Sequence, residues 1–375
     1  MEINKRNPVI DVLKGLGIIL MVIGHSGFPF TRFIYLFHMA VFFMASGFCY
    51  KKENAENIKS CLYFIKRRFI SLWLPYVIWT SIFSILNNFF IFSNIYTNNP
   101  LILNYTSMGG VVSEIWTYKD VIKNICLSFL LSGGTRMGGA LWFICILMKI
   151  SILYLFFDFL IQLLFKNNLL IQGIISVVLL SLGYFFHIKD ISFLSLDKVF
   201  SYYCLFYLGF LVRTLNLGDL MISWQKRITI IIAAFFILFV FNHIGRIELA
   251  DTDYTNPIFL ICASTVGWFF LYQISYFISK SEKLTTLIAA IGKNTIAVVI
   301  LHFLCFKIVS FIGLILEGSP NYLLACFPIY MNTGVWWVAY TIVGVAIPVS
   351  LSMLYKSVKQ KIIIKCLQSK QNHIV

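Results

Sequence analysis

The stretch Ile10-Asp11-Val12-Leu13-Lys14-Gly15-Leu16-Gly17-Ile18-Ile19-Leu20-Met21-Val22-Ile23-Gly24-His25 decides the fold. It lies in an apolar run over 9–27. At 1.5 Å of rise per residue, about 20 helical residues cross about 30 Å of hydrocarbon. Yet this run carries an acid, a Lys and a His, and polar groups inside a span are costly and usually have a reason. Further runs of this kind fall at 33–50, 69–92, 138–160, 169–186, 199–214, 228–242, 257–278, 288–316 and 334–355. The expected fold is all-α: a polytopic integral membrane protein of about ten transmembrane helices, with 1–355 as one domain and 356–375 as a basic tail. The runs 199–214 and 228–242 are short for a span. The apolar stretch 121–134 ends in Ser132-Gly133-Gly134 and reads as interfacial or re-entrant.

Composition agrees. Of 375 residues, 59% are hydrophobic and 12% charged, against about 25% charged in soluble domains; the mean hydropathy is +0.86. The formal net charge of +15 would suit a nucleic-acid partner in a soluble protein. Here the Lys and Arg residues gather in short loops and at the C-terminus. Threaded with the N-terminus inside, ten spans collect on the inner side Lys5, Arg6, the cluster Lys51 to Arg68, and the lysines from Lys356 onward. The bias marks orientation, places both termini in the cytoplasm and excludes a nucleic-acid partner. The nine Cys show no CxxC spacing, so neither a zinc knuckle nor a disulfide framework is expected. The segment 93–137 suits a lid or an acceptor-binding loop.

On the first helix, Lys14 and His25 are eleven positions apart. They differ by about 20° around the axis and about 16 Å along it, and Asp11 lies within about 60° of Lys14. The three share one stripe that should face the protein interior. The plain alternative is a salt bridge and a satisfied His that only pin helix packing. A short turn near 28–32 would bring His38 to the depth of His25, and His302 is a third buried imidazole, after Gly292-Lys293-Asn294-Thr295. Imidazoles suit proton transfer near neutral pH; no HExxH-type spacing points to metal, and no metal is expected. Lys66-Arg67-Arg68 reads either as positive-inside anchoring or as a clamp for phosphates. Pro75 should bend or open its helix. Trp142 serves as an interfacial anchor or as the wall of a sugar site.

Taken in order, these pieces resemble the membrane-bound acyltransferase-3 family of bacterial polysaccharide O-acetyltransferases, in its fucose 4-O-acetylase-like branch. The matching residues are Asp11 to Gly15 with Gly24-His25, Phe37-His38-Met39 with Phe42-Phe43 and Ser46-Gly47-Phe48, Lys66-Arg67-Arg68 with Pro75-Tyr76, Leu141-Trp142-Phe143, and Gly292-Lys293-Asn294-Thr295 with Leu301-His302. The family's essential His falls on His25. Its basic position on the first helix, often Arg, is Lys14, a point charge without the bidentate fork. The RxxR spacing of many relatives would end at Ser71, so the basic pair falls on Arg67 and Arg68 instead.

The resemblance implies an acetyl-CoA-dependent O-acetyltransferase of the bacterial cell membrane acting on a hydroxyl of a cell-surface or lipid-linked sugar. Acetyl-CoA would be the acyl-donor substrate. The expected catalytic residues are His25, His38, His302 and Asn294, with His38 or Asn294 donating to the oxyanion. Lys14, Arg67, Arg68 and Asp11 would serve the donor, with Asp11 orienting Lys14. Direct transfer and an acetyl-His relay both stay open. Partners would be membrane lipids and the glycan acceptor, and a homodimer is admitted. The competing function is a secondary transporter or flippase for a polysaccharide precursor, which should show repeat symmetry; the sequence shows none.

Overall fold

The computed structural model describes residues 7–100, 102, 113–165, 168–217 and 223–372, with side chains through Ile362. Parts of the expected lid at 93–137, and the side chains of the basic tail beyond Ile362, lie outside the described residues.

The chain is helical almost throughout. In order, the helices are α1 (Pro8–His25), α2 (Thr31–Tyr35), α3 (His38–Phe48), α4 (Ile58–Arg68), α5 (Leu74–Ile85), α6 (Asn87–Phe92), α7 (Tyr118–Phe129), α8 (Trp142–Phe165), α9 (Leu169–Ile188), α10 (Leu196–Thr214), α11 (Trp224–Ile244), α12 (Pro257–Ile278), α13 (Glu282–Gly292), α14 (Thr295–Glu317) and α15 (Trp336–Asn372). A hairpin, β1 (Ile247–Glu248) paired antiparallel with β2 (Asp253–Tyr254), joins α11 to α12. Nine helical stretches among the described residues are long and apolar enough to cross a membrane. The chain is an all-α polytopic membrane protein.

α10 stands apart from those nine. It carries Asp197, Lys198 and Arg213, and it is packed between α9 and α3. Arg213 Nη1 donates to the carbonyls of Phe48 and Tyr50 at 3.2 and 3.1 Å. At its other end the Tyr202 hydroxyl donates to the Leu249 carbonyl at 2.7 Å. α10 therefore runs the length of the bundle, from the hairpin end to the end where Lys14, Arg67, Arg68 and Lys293 gather (the basic end). Its charges sit at its two ends and are bonded there, which reconciles them with a buried path.

Local chemistry sets the breaks. Asn7 caps α1 by accepting from the Val9 amide at 2.9 Å, and Pro8 follows in the first turn. α1 ends at Ser26 and Gly27, whose φ of +84° is open to glycine. The apolar run 33–50 is not one rod: it splits between α2 and α3, where Phe37 wedges into α12, and a Cβ on Gly267 would stand 2.0 Å from that of Phe37. The run 69–92 instead begins at Ile58. A π turn at Phe69–Trp73 joins α4 to α5, because Pro75 has no N–H to offer the Ser71 carbonyl and a widened turn relieves the register. The run 288–316 divides into α13 and α14 at Lys293 and Asn294, where Gly292 closes on α1; a Cβ there would lie 1.9 Å from the Asp11 carbonyl oxygen.

α7 lies against α5 and runs antiparallel to it. Asn124 on α7 donates to Ser84 Oγ at 2.8 Å, while Trp73 Nε1 donates to the Phe129 carbonyl at 3.0 Å. Residues 130–138 then return, and the Met137 amide donates to the Tyr96 hydroxyl at 2.8 Å. The stretch 121–134 thus forms most of α7 and the start of the returning segment. α9 and α11 are peripheral and expose apolar faces, as lipid-facing helices do. α15 continues unbroken from its apolar part through the first residues of the basic tail.

Candidate active site

α1 lays its polar stripe inward. Lys14 lines a cavity at the basic end, and His25 lines another toward the hairpin end. The first cavity is about 620 Å³; besides Lys14 its cationic lining is Arg67, Arg68 and Lys293, with Ser71 and Cys49 beside them. Lys14 Nζ lies 3.7 Å from Cys49 Sγ. Arg68 Nη2 donates to Ser46 Oγ at 2.9 Å, and its guanidinium sits 5.0 Å from the Phe64 ring centroid. Arg67 lies 5.7 Å from the ring of Tyr63 and is exposed. Four cations around one open cavity are suited to phosphates. Asp11 is buried one turn below Lys14, where α1 packs on α13.

The second cavity is small, about 30 Å³, the room of a single water or hydroxyl. His25, Tyr35, His38, Trp142 and Glu248 line it. Val299 on α14 lines both cavities and so stands between the basic inlet and the imidazole.

Three imidazoles collect here. The His25 and His302 rings stack with centroids 5.6 Å apart, and Phe303 packs on His25 at 5.1 Å. The turn after α1 makes a hairpin with α2, as expected for His38. Tyr35 bridges the pair: its hydroxyl lies 3.4 Å from His25 Nδ1, and its ring is 4.9 Å from that of His38. Nδ1 of His38 lies 3.0 Å from the Ile34 carbonyl, and Nδ1 of His302 lies 2.9 Å from the Val298 carbonyl. A carbonyl only accepts, so each Nδ1 carries the proton and each neutral ring keeps a lone pair on Nε2. His302 Nε2 is buried and meets no partner. The Tyr35 hydroxyl also donates to the Gly24 carbonyl at 3.1 Å. With its one proton spent there, the phenol accepts from His25 Nδ1–H, and His25 Nε2 too is left free to accept a proton.

The neutral His38 ring therefore has no N–H left for an oxyanion. Asn294 is not brought to the histidines. It stands at the start of α14, eight residues or about 12 Å before His302. Its Nδ2 donates to the Ala290 carbonyl at 2.8 Å, and its Oδ1 accepts from Ser352 at 2.8 Å and Lys356 at 2.6 Å. Among the described residues no three His, Cys, Asp or Glu side chains gather to hold a metal.

The hairpin roofs the small cavity. Besides Tyr202, α10 holds it through Ser201 with the Tyr254 hydroxyl at 2.9 Å, Asp197 accepting from Thr252 at 2.8 Å, and Lys198 donating to the Ala250 carbonyl. This fixes Glu248 over His25. Burial, and then the charges of Asp251 and Asp253, push the Glu248 carboxyl up to about 7. Tyr35 and Glu248 were not singled out from sequence, and Lys293 only as part of the motif Gly292 to Thr295. Tyr35 precedes His38 by three residues, a usable signal; Glu248 offers none, because only folding of the hairpin carries it to the site.

No curated protein and no solved structure matches the chain. Residues 7–353 match the acyltransferase-3 family, described as an acyltransferase domain. That match covers nearly all of the chain and all of the cluster above, and the chain belongs to this family of membrane acyltransferases.

Proposed function

We propose that the protein transfers an acetyl group from acetyl-CoA to a hydroxyl of a cell-surface or lipid-linked sugar, in a bacterial cell membrane. The observation that carries this reading is the pair of cavities on either side of Val299: a wide one ringed by Lys14, Arg67, Arg68 and Lys293, and a hydroxyl-sized one at His25. A polyanionic head with a long thin arm suits the first, and an attacking hydroxyl suits the second. The basic end faces the cytoplasm and the acidic hairpin the outside, with α10 as a tenth span and both termini inside; the excess of Lys and Arg at the basic end supports this orientation.

The phosphates of the donor lie among the four cations, with Arg68 held by Ser46 and Asp11 setting the turn that presents Lys14. The thioester reaches past Val299 toward His25. His25 Nε2 takes the proton as the sugar oxygen attacks the carbonyl carbon. The C–S bond then breaks, and the thiolate leaves with that proton as CoA. Tyr35 holds the His25 tautomer. His302 and His38 stand beside it as further proton acceptors. Transfer is direct, and Asn294 takes no part in the chemistry; it brackets α14 to α15.

Purified protein in nanodiscs with labelled acetyl-CoA tests this. His25→Ala should lower acetyl turnover by roughly 100-fold or more while the variant elutes as the wild type does on gel filtration. Full activity in that variant would remove His25 as the base, and no turnover by the wild type would remove the reaction.

A further inference from the structure

The cavity at His25 admits a hydroxyl but no sugar ring, so the ring must sit next door. The neighbouring space is a cleft of about 180 Å³, lined by Ser132, Gly134, Thr135, Trp142, Ser195 and Lys198 among others. Trp142 lines both this cleft and the cavity at His25. Four glycines, Gly133, Gly134, Gly138 and Gly139, open part of the wall to main chain, and a Cβ at Gly134 would meet nothing within 4 Å; Leu131, Leu141 and Ile146 supply apolar surface beside them. Hydroxyl groups and main chain beside an indole face and aliphatic side chains suit a sugar ring, which has polar edges and apolar faces.

The charge in the cleft is one-sided. Lys198 is the only ionised side chain among its lining residues. Its Nζ lies 5.8 Å from the Trp142 ring centroid and is held by the Ala250 carbonyl, not by a carboxylate. Lys149, one turn beyond Cys145 of the cleft wall, is likewise bonded to a carbonyl, that of Leu194, at 2.8 Å. The nearest acid on α10, Asp197, accepts from Thr252 through Oδ2, and its buried Oδ1 meets no hydrogen-bond partner. Neither ammonium group is bonded to a carboxylate, and Lys198 is the cation that the cleft itself offers an anionic group.

We propose that this cleft seats the acceptor as a carboxylate-bearing pyranose, stacked on Trp142 with one hydroxyl entering the cavity at His25 and its carboxylate beside Lys198. This rests on the acyltransfer reading above and adds to it the class of sugar. Lys198 is then a specificity residue, and Trp142 the platform that turns one ring hydroxyl toward the imidazole.

The probes are methyl glucuronide and methyl glucoside, offered with labelled acetyl-CoA to the full-length protein in nanodiscs. The wild type should prefer the glucuronide in kcat/KM by roughly tenfold or more, the worth of one charge-assisted contact. Lys198→Gln keeps a donor for the Ala250 carbonyl and removes the charge, and should collapse that ratio toward one. Lys198→Arg should keep it. Trp142→Ala should lower the ratio of sugar acetylation to acetyl-CoA hydrolysis. Equal use of both glycosides, use of neither, an unchanged ratio in Lys198→Gln, or an unchanged transfer-to-hydrolysis ratio in Trp142→Ala would each overturn the proposal. Wild-type protein that spends acetyl-CoA without favouring the acid overturns the cleft assignment alone; protein that spends none overturns the acyltransfer reading beneath it.

Discussion

Glu248 shows how a single side chain is set by its surroundings. Its carboxyl is pushed up to about 7 by burial and by Asp251 and Asp253. The folded hairpin therefore holds a proton more tightly than the unfolded chain does. A raised acid pKa makes the fold most stable at low pH; stability declines as pH rises from the usual carboxylate range to about 7 and is lowest above it. Glu248→Gln removes this titration. It should raise the unfolding temperature at about pH 8, by a stability of roughly 1–2 kcal/mol after solvent screening, and change little near pH 4.5. A series of thermal melts in detergent across that range reads the difference; equal shifts at both ends would mean the carboxyl titrates normally. The histidines teach a related lesson. Their spacing announced them, but their proton positions follow from the carbonyls of Ile34 and Val298 and from the hydroxyl of Tyr35, none of which a residue count reveals.

Among the elements, α3 and α10 cross with their backbones nearly touching. A Cβ on Gly209 would stand 1.9 Å from the Met44 carbonyl oxygen, and one on Gly47 would stand 1.8 Å from that of Phe206. Small residues let two backbones meet where lipid gives no hydrophobic drive for association. This approach holds α10, and with it Tyr202, Lys198 and the hairpin, against the body of the bundle. Gly209→Ala should force the two helices apart and cost about 1–3 kcal/mol, seen as a lower unfolding temperature, while Gly134→Ala, with open space around it, should melt as the wild type does. Matching melts for the two variants would contradict the contact. The ends of elements were the least legible part of the sequence. Pro75 did announce a disturbance, and the π turn lies just before it. The breaks at Phe37 and at Lys293–Asn294 carry no proline; they exist because Phe37 meets Gly267 and Gly292 meets α1.

For the whole molecule, the orientation and the count of crossings belong together. α10 joins the hairpin end to the basic end, so residues before and after it should lie on opposite sides of the membrane. In a cysteine-depleted background, Phe193→Cys should react with an impermeant maleimide on intact cells, and Asn216→Cys only after permeabilisation. Identical reactivity at the two positions would make α10 a dipping helix and upset the even count. The sequence by itself determined the membrane class, the inward stripe of Lys14 and His25, and the family, because each depends on composition or on spacing along one helix. Tertiary structure alone decided that Asn294 stays with Lys356, that Tyr35 and Glu248 join the imidazoles, and that Val299 lines both cavities. Those are contacts between segments distant in the chain, and their geometry depends on how helices cross, which no local pattern encodes.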